Sequence, residues 1–205
     1  MTARRDASGA ADAGPLTAQA ILAATEDVLR RYGPAKATVV DVARALNVSH
    51  GSVYRHFGSK TELREAVARR WVARNERYLA DVADGDEPPP ERLRRWLAEL
   101  FADKRRKRLE DPELTATYFA LAQRTSHVVE EHLAELTAQI ARVIADGEAT
   151  GDFRATDPDT AARAVLVATA RFHHPAHAAE WTDPRVDADF AAVCDLLITG
   201  LSADV

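Results

Sequence analysis

Residues 38–60 constrain the fold of this chain more than any other stretch. Thr38 is a suitable N-cap, and the apolar residues after it recur at helical spacing on one face. Asn47 then indicates a sharp turn, because asparagine tolerates a positive φ better than any residue except glycine. Ser49 is suited to cap a second short helix, on which Val53 faces the first. The pattern therefore predicts two short helices joined by a tight turn.

The side chains left outside on the second helix carry hydrogen-bond donors, with glycine as the one exception. They are His50, Gly51, Ser52, Tyr54, Arg55 and His56. Ser59 and Glu62 form a predicted capping box at the start of a third helix, which places Lys60 in its first turn. Donors on a helix suit base edges and phosphates, and the second helix of a helix-turn-helix enters the major groove of DNA. The stretch thus predicts a DNA-binding helix-turn-helix.

Residues 17–71 resemble the DNA-binding domain of the TetR/AcrR family of bacterial transcriptional regulators. The residues that carry the resemblance include Tyr32-Gly33, Thr38-Val39, Val42-Ala43, Leu46-Asn47-Val48-Ser49, Gly51 to Phe57, Lys60 and Leu63. The chain departs from the family at Asn47, where glycine is usual. The resemblance implies a homodimeric repressor that binds an inverted-repeat operator in double-stranded DNA. It also implies release of that operator by a small-molecule effector, which the sequence does not identify.

The resemblance implies roles for individual residues of this domain as well. Four positions match family contacts to phosphates: Thr38, Tyr54, His56 and Lys60. Four others match positions that face bases: Val40, His50, Gly51 and Ser52. Arg55 matches a position that can do either, and Ser49 completes the predicted DNA-binding set.

The charge distribution agrees with a DNA-binding N-terminal part. The 205 residues carry a net charge of −5, which alone argues against a DNA-binding protein. Residues 1–75, however, hold 12 Lys and Arg against 7 Asp and Glu, whereas the remainder holds 15 against 25. The basic part is the part that contains the motif, and an acidic body is kept away from phosphates.

The rest of the chain reads as helices, because no period-2 strand pattern is present. We predict an all-α fold of about nine helices, with starts at the three Asp-Pro pairs Asp111-Pro112, Asp157-Pro158 and Asp183-Pro184. The predicted organisation is a disordered arm at residues 1–15, a three-helix helix-turn-helix domain at 16–62, and a helical ligand-binding and dimerisation domain at 63–205. The first helix is expected to end at Gly33-Pro34.

Two further sets of residues are predicted in the C-terminal domain. The effector pocket is expected to involve aromatic and histidine side chains on helices that line pockets in TetR-like proteins: Trp71, Trp96, Phe101, Tyr118, Phe119, His127, Phe172 and His173. The last two helices carry small residues and a broad apolar stripe that needs cover, either from the same chain or from a second subunit. The resemblance favours a two-fold dimer interface, for which we predict Val165, Ala168, Val186, Phe190, Val193, Leu197 and Leu201.

Several patterns are interpreted as having no catalytic or metal-binding role. The basic run Lys104 to Arg108 and the residues around His127 and His132 read as solvated helix faces. In His173-His174-Pro175 the proline breaks the helix that would align metal ligands, so no metal and no cofactor are predicted. With no signal peptide, no membrane-length apolar run and no catalytic set, we expect a cytoplasmic protein that is not an enzyme. Three alternatives stay open: an architectural DNA-binding protein, an activator, and an enzyme or metal-binding protein that has adopted this fold.

Overall fold

The computed structural model describes residues 15–122, 127–154 and 157–203, and these residues are almost entirely α-helical. The predicted arm at residues 1–15 lies outside the described ranges except for its last residue. Extended pairing within them is limited to one isolated bridge, between Phe153 and Ser202. The helices are α1 Ala18–Lys36, α2 Val39–Ala45, α3 His50–Tyr54, α4 Lys60–Ala83, α5 Pro89–Glu110, α6 Pro112–Ala122, α7 His127–Thr150, α8 Pro158–Ala168, α9 Ala170–His173 and α10 Val186–Leu201.

Ten α-helices occur in the described residues, against about nine predicted, and the all-α fold class is confirmed. The additional helix is α9, a single turn that follows a break at Thr169. Two 3-10 turns, Pro175–His177 and Glu180–Thr182, connect α9 to α10. The predicted helix break at Pro175 is confirmed, because α9 ends at His173 and His174 is extended.

Local sequence signals explain most of the helix ends. Gly33 interrupts α1 with φ 71°, which is where the sequence predicts its end, and one further turn continues to Lys36. Asp157 caps α8 by accepting a hydrogen bond from the Thr160 backbone N–H at 3.1 Å. The third Asp-Pro pair is a wrong prediction, because Asp183 accepts from the backbone N–H of Arg185 in a turn and α10 begins only at Val186.

The buried apolar side chains form three clusters. One lies in the body, between α4, α5, α7, α8 and α10, and includes Leu93, Trp96 and Ile140. A second joins α1, α2, α3 and the first half of α4 and extends to Leu114 and Tyr118 of α6. A small third cluster surrounds Phe101, Phe172 and Trp181. Because α6 belongs to the second cluster, the helix-turn-helix packs directly on the body and does not depend on α4 alone for its position.

Candidate DNA-binding surface and interior cavity

The turn between α2 and α3 has the geometry that its sequence predicts. Asn47 adopts φ 54°, the one positive φ at a non-glycine position in the described residues. The Val48 backbone N–H then donates to the Ala43 carbonyl at 2.9 Å, which folds the chain back towards α2. Thr38 and Asp41 cap α2 reciprocally, and Ser49 caps α3 by accepting from the Ser52 N–H at 3.2 Å. Two short helices are thus held at a defined angle by their caps and by one left-handed residue.

Helix α3 separates a buried face from an exposed face. Val53 and Phe57 are buried in the cluster shared with α1, α2 and α4. All ten residues predicted to contact DNA lie outside this core: nine are exposed and Ser52 is half-buried. Arg55 donates to the Ser52 hydroxyl at 2.9 Å, and the Ser52 hydroxyl lies 3.0 Å from that of Ser49. These polar groups therefore form a connected surface at the end of the helix-turn-helix.

The start of α4 lies next to this surface. Ser59 caps α4 by accepting from the Glu62 backbone N–H at 3.0 Å, which leaves Lys60 exposed in the first turn. The predicted capping box is incomplete, because the Glu62 carboxylate accepts from Gly58 N–H at 2.7 Å instead of from Ser59. An exposed lysine at a helix N-terminus is suited to a phosphate, since charge and backbone dipole act in the same direction.

Part of the predicted pocket set converges on one interior cavity. The cavity lies between α4, α6 and the segment after α9. Four of the eight predicted pocket residues line it: Trp71, Tyr118, Phe119 and His173. Five other lining residues were not predicted from the sequence: Lys104, Lys107, Thr115, Pro175 and Trp181. The cavity has a volume of about 10 Å³, which is space for about one water molecule.

The other four predicted pocket residues lie elsewhere. Trp96 is fully buried in the body core, where its Nε1 donates to Gln139 Oε1 at 2.9 Å. Phe101 and Phe172 stack edge-on in the third cluster, with ring centroids 5.4 Å apart. His127 is exposed, and its imidazole lies 3.2 Å from the Glu131 carboxylate. All four are aromatic or histidine residues of the kind that lines ligand pockets. Aromatic character alone, however, does not distinguish a cavity wall from a core contact.

Two interpretations of polar residues are wrong. Lys104 and Lys107 do not belong to a solvated helix end, because the two residues fall on the face of α5 that packs against α4 and α6. His132 is 3 % exposed and not part of a solvated face. The 3-residue spacing of Lys104 and Lys107 is the signal that could have indicated one shared helix face. Which face turns inward depends on how α5 packs.

These residues form a hydrogen-bonded chain that crosses three helices. Lys104 Nζ of α5 lies 3.2 Å from His132 Nε2 of α7, and His132 Nδ1 lies 2.5 Å from Glu76 Oε1 of α4. Burial, with the nearby Lys104 and Lys107, holds the pKa of His132 well below its ordinary value, so the imidazole is neutral. Its Nε2 therefore accepts from the lysine ammonium, and its Nδ1–H donates to the Glu76 carboxylate.

Burial also shifts the pKa of the groups on either side of this chain. It lowers the pKa of Lys104 to about 8 and raises that of Glu76. His173 is buried next to the cavity, and its Nε2–H donates to the Leu166 carbonyl at 2.9 Å. Burial lowers its pKa to about 4, so His173 is neutral at physiological pH. The cavity wall thus holds one neutral imidazole, that of His173, and two lysines, of which Lys107 is paired with Asp103.

The predicted interface residues on α8 and α10 divide between core and surface. Val165 and Val186 are buried within the protomer, and Phe190, Val193, Leu197 and Leu201 are half-buried. Ala168 is exposed, as are two larger residues that the sequence did not single out, Val167 and Leu196. Val167 is 75 % exposed and Leu196 74 % exposed. The apolar stripe recognised in the sequence is thus largely the one that faces the core.

Neither a membrane span nor a metal centre was found in the part of the chain that the structure describes. Every helix there is too short or too polar to cross a bilayer. Across the same residues, no group of three or more His, Cys, Asp or Glu side chains is placed to hold a metal ion. The single cysteine, Cys194, is a buried thiol in the body core, where burial raises its pKa to about 11.

Sequence comparison places this helix-turn-helix and its body in one family. Residues 21–67 match the bacterial regulatory proteins of the tetR family, and residues 89–194 match the tetracyclin repressor-like C-terminal domain. The second match alone covers half of the chain. The protein therefore belongs to the TetR family of bacterial transcriptional regulators, and residues within 21–67 form its helix-turn-helix domain.

Individual relatives resemble parts of the chain or only its fold. An HTH-type transcriptional repressor of Mycobacterium tuberculosis is 38% identical over 88 residues, which is 42% of this chain and 47% of that protein. The chain thus spans about half the length of the curated relatives it matches.

Solved structures cover nearly the whole chain at lower identity. The SmeT repressor of the Stenotrophomonas maltophilia multidrug efflux pump SmeDEF has a TM-score of 0.68 at 21% identity, over 95% of this chain and 94% of that one. The FadR regulator of Bacillus subtilis in complex with stearoyl-CoA has a TM-score of 0.66 at 15% identity, over 90% of this chain and 100% of that one. At these identities the likeness concerns the fold alone.

Proposed function

We propose that this protein is a homodimeric transcriptional repressor that binds an inverted-repeat operator and is released from it by a small molecule. The observation that carries the proposal is the division of α3 into a buried face, with Val53 and Phe57, and an exposed face of hydrogen-bond donors. A five-residue helix held by its own cap and by a left-handed turn presents these donors rigidly, as groove recognition requires.

The proposed DNA contacts divide into two kinds. Thr38, Tyr54, His56 and Lys60 are exposed around the ends of the short helices and are assigned to phosphates, and the exposed Ser49 completes the DNA-binding set. The base-facing set is Val40, His50, Gly51 and Ser52, with Arg55 able to serve either set. A side chain at Gly51 would meet nothing closer than Ser49 Oγ at 3.7 Å, so the protein itself does not require glycine there. Glycine at this position is instead explained by close approach of the α3 backbone to a base edge, which a side chain would prevent.

The proposed dimer uses the outer faces of α8 and α10. Val167, Ala168 and Leu196 are exposed on the protomer, and the half-buried Val193 and Leu197 extend the apolar surface on α10. Two such helix pairs related by a two-fold axis would form a four-helix interface. A dimer places two α3 helices in successive major grooves, and this is why an inverted repeat is expected.

The domain division follows from the same arrangement. We assign residues 16–62 to DNA binding and residues 63–205 to ligand binding and dimerisation. The body contains the interior cavity, and proteins with this fold include a regulator solved in complex with stearoyl-CoA, which supports a small-molecule effector for this protein. A ligand there can release DNA only if it binds the two states of the protein with different affinity.

Selection of bound duplexes from a random DNA pool by the purified protein tests the DNA-binding part of the proposal. The expected result is enrichment of an inverted repeat whose half-sites are spaced by about one helical turn, roughly 10 base pairs. Absence of any enriched sequence at low salt would contradict sequence-specific recognition and would favour an architectural role.

Sedimentation velocity tests the dimer. Val167→Glu and Leu196→Glu each place a charge on the proposed interface and are expected to shift the protein to monomer. Leu109→Glu is the matched control, because Leu109 is equally exposed, at 76 %, but belongs to α5 and not to α8 or α10, so this variant should stay dimeric. Dimers that persist in both interface variants would rule out this surface.

A further inference from the structure

The interior cavity combines positive charge with aromatic walls. Lys104 and Lys107 of α5 reach it from one side, and Trp71, Tyr118 and Trp181 line it. The Lys107 ammonium lies 4.6 Å from the centroid of the Trp71 ring, and that of Lys104 lies 5.7 Å from the centroid of the Tyr118 ring. The Trp71 and Tyr118 rings are themselves 5.7 Å apart. Cations over aromatic faces inside a protein define both the charge and the shape of a ligand that fits beside them.

The two lysines differ in how their charge is compensated. Lys107 Nζ forms an ion pair with Asp103 Oδ2 at 2.9 Å. Lys104 contacts the neutral imidazole of His132, and no carboxylate among the described residues lies within ion-pairing distance of its ammonium. A buried ammonium that rests on a neutral acceptor is costly, because the imidazole supplies a lone pair but no opposing charge. Asp103 and Glu76 favour the charged form of Lys104, but neither forms an ion pair with its ammonium, which can therefore still pair directly with an anion.

The cavity walls determine what kind of anion would fit. No carboxylate belongs to the lining, but Asp103 compensates the charge of Lys107, so Lys104 is the lysine with which an anionic ligand would pair. The remaining lining is mostly aromatic and apolar, so it suits a flat apolar group better than a group that needs several hydrogen bonds. The space is now about one water in size, so a ligand must displace a wall. Pro175 and Trp181 form the wall that belongs to 3-10 turns and not to a long helix.

We propose that the effector is a small aromatic carboxylate, with its carboxylate on Lys104 and its ring between Trp71, Tyr118 and Trp181. This inference rests on the proposed function, since it names the chemical class of the ligand that would act there. The lowered pKa of Lys104, about 8, is in keeping with it: the free cavity penalises the ammonium, and a bound carboxylate relieves that penalty.

The Lys104 chain also connects such a ligand to the DNA-binding helices. Lys104 is joined through His132 to Glu76 on α4, and α4 begins at Lys60 beside the DNA-binding surface. A carboxylate that draws the Lys104 ammonium into the cavity removes the donor on which His132 Nε2 now rests. The packing of α4 against α5 and α7 then changes, and α4 carries that change towards the helix-turn-helix.

Isothermal titration calorimetry on the full chain tests the ligand class without any DNA. The probes are 1-naphthoate and benzoate, with benzamide as the uncharged ring and cyclohexanecarboxylate as the non-aromatic acid. The expected order places the aromatic carboxylates first, with each control at least about tenfold weaker, a difference of about 1.4 kcal/mol. Quenching of tryptophan fluorescence by 1-naphthoate gives an independent readout, because Trp71 and Trp181 line the cavity.

Two variants locate the charge that binds the ligand. Lys104→Met is expected to weaken binding of the aromatic carboxylates at least about tenfold, whereas Lys104→Arg retains most of the affinity. Arg108→Met removes the same charge from an exposed position of the same helix and should bind as the wild type does. Circular dichroism and thermal unfolding of Lys104→Met confirm that it folds.

Three results would overturn the inference. The first is equal affinity for benzamide and benzoate, and the second is unchanged affinity in folded Lys104→Met. The third is no binding of either aromatic acid at about 10 mM, which would mean a binding free energy weaker than roughly 3 kcal/mol. Lys104-dependent binding that leaves a selected operator bound would overturn the effector role specifically. A failure to select any operator would count against the proposed function instead, since calorimetry needs no DNA.

Discussion

Arg30 of α1 lies with its Nε 2.6 Å from Asp111 Oδ1, at the junction of α5 and α6. This pair joins the helix-turn-helix to the body at a second point besides α4. Further ion pairs extend from Arg30 into the N-terminal part. Arg30 also contacts the buried Glu26, and Glu26 is paired with Arg70 of α4 at 3.2 Å. The pairing with Asp111 raises the pKa of Arg30, so the guanidinium is charged at any pH at which the protein folds. Ion pairs and the apolar contact of Leu114 together orient α1 on the body.

We expect the Arg30–Asp111 pair to show measurable coupling in a double-mutant cycle. Arg30→Met, Asp111→Asn and the double variant should give a coupling energy of about 0.5–1 kcal/mol in urea unfolding, because both groups are partly exposed and screened. The pair between Arg142 and Asp84 is a control, since both of its side chains are more exposed. Equal coupling in the two pairs would contradict a special role for Arg30.

Asn47 is expected to be replaceable by glycine but not by alanine. Its φ of 54° costs a residue with a Cβ and no local hydrogen-bonding side chain about 1–2 kcal/mol. Asn47→Ala should therefore lower the free energy of unfolding by about that amount, whereas Asn47→Gly should change it by less than about 1 kcal/mol. Chemical unfolding of both variants measures this. Comparable losses in the two would show that the turn is not held by its left-handed residue.

Lys60 and His50 are expected to affect DNA binding in different ways. Lys60→Ala should weaken binding to all duplexes similarly and reduce the slope of log K against log salt by about 1 per protomer. His50→Ala should instead change which bases are preferred, as loss of a base contact does. Fluorescence anisotropy on selected and scrambled duplexes at several salt concentrations separates the two effects. Arg108→Ala controls for net charge, and unchanged affinity in Lys60→Ala at moderate salt would disprove the assigned docking.

Acid should destabilise the protein partly through His173. Its pKa is about 4 in the folded state and about 6.5 when unfolded, so between these values the unfolded chain binds the extra proton. The stability is present above pH 6.5 and is lost as the pH falls towards 4, with a contribution from His173 of about 2 kcal/mol between pH 7 and pH 5.

Urea unfolding at pH 7 and pH 5 measures this contribution. His173→Gln should lose correspondingly less stability between the two pH values, although His132 keeps part of the acid sensitivity because its pKa is lowered as well. His56→Gln, at an exposed position outside the core, is the matched control. An identical pH dependence in His173→Gln and wild type would mean that His173 does not titrate as described.

Features that depend on neighbouring residues could be predicted well. The left-handed Asn47, the caps at Thr38, Ser49 and Asp157, and the break at Gly33 all appear as expected, because each depends on backbone preferences within a few residues. The predictions that were wrong depend instead on tertiary packing. Asp183-Pro184 carries the same local signal as Asp157-Pro158, yet α10 starts later, where Val186 can be buried.

The sequence by itself determined the helical class, the helix-turn-helix and the polar outer face of α3, because hydrophobic spacing and helix capping depend only on residues close together in the chain. Only the tertiary structure decided which charged residues lie inside. Lys104, Lys107 and His132 resemble solvated helix residues in the sequence, and they become cavity and core groups because α4, α5, α6 and α7 meet around them. Burial of a charge is set by the packing of distant segments, and that is why the cavity lined by Lys104 and Lys107 could not be predicted from the sequence.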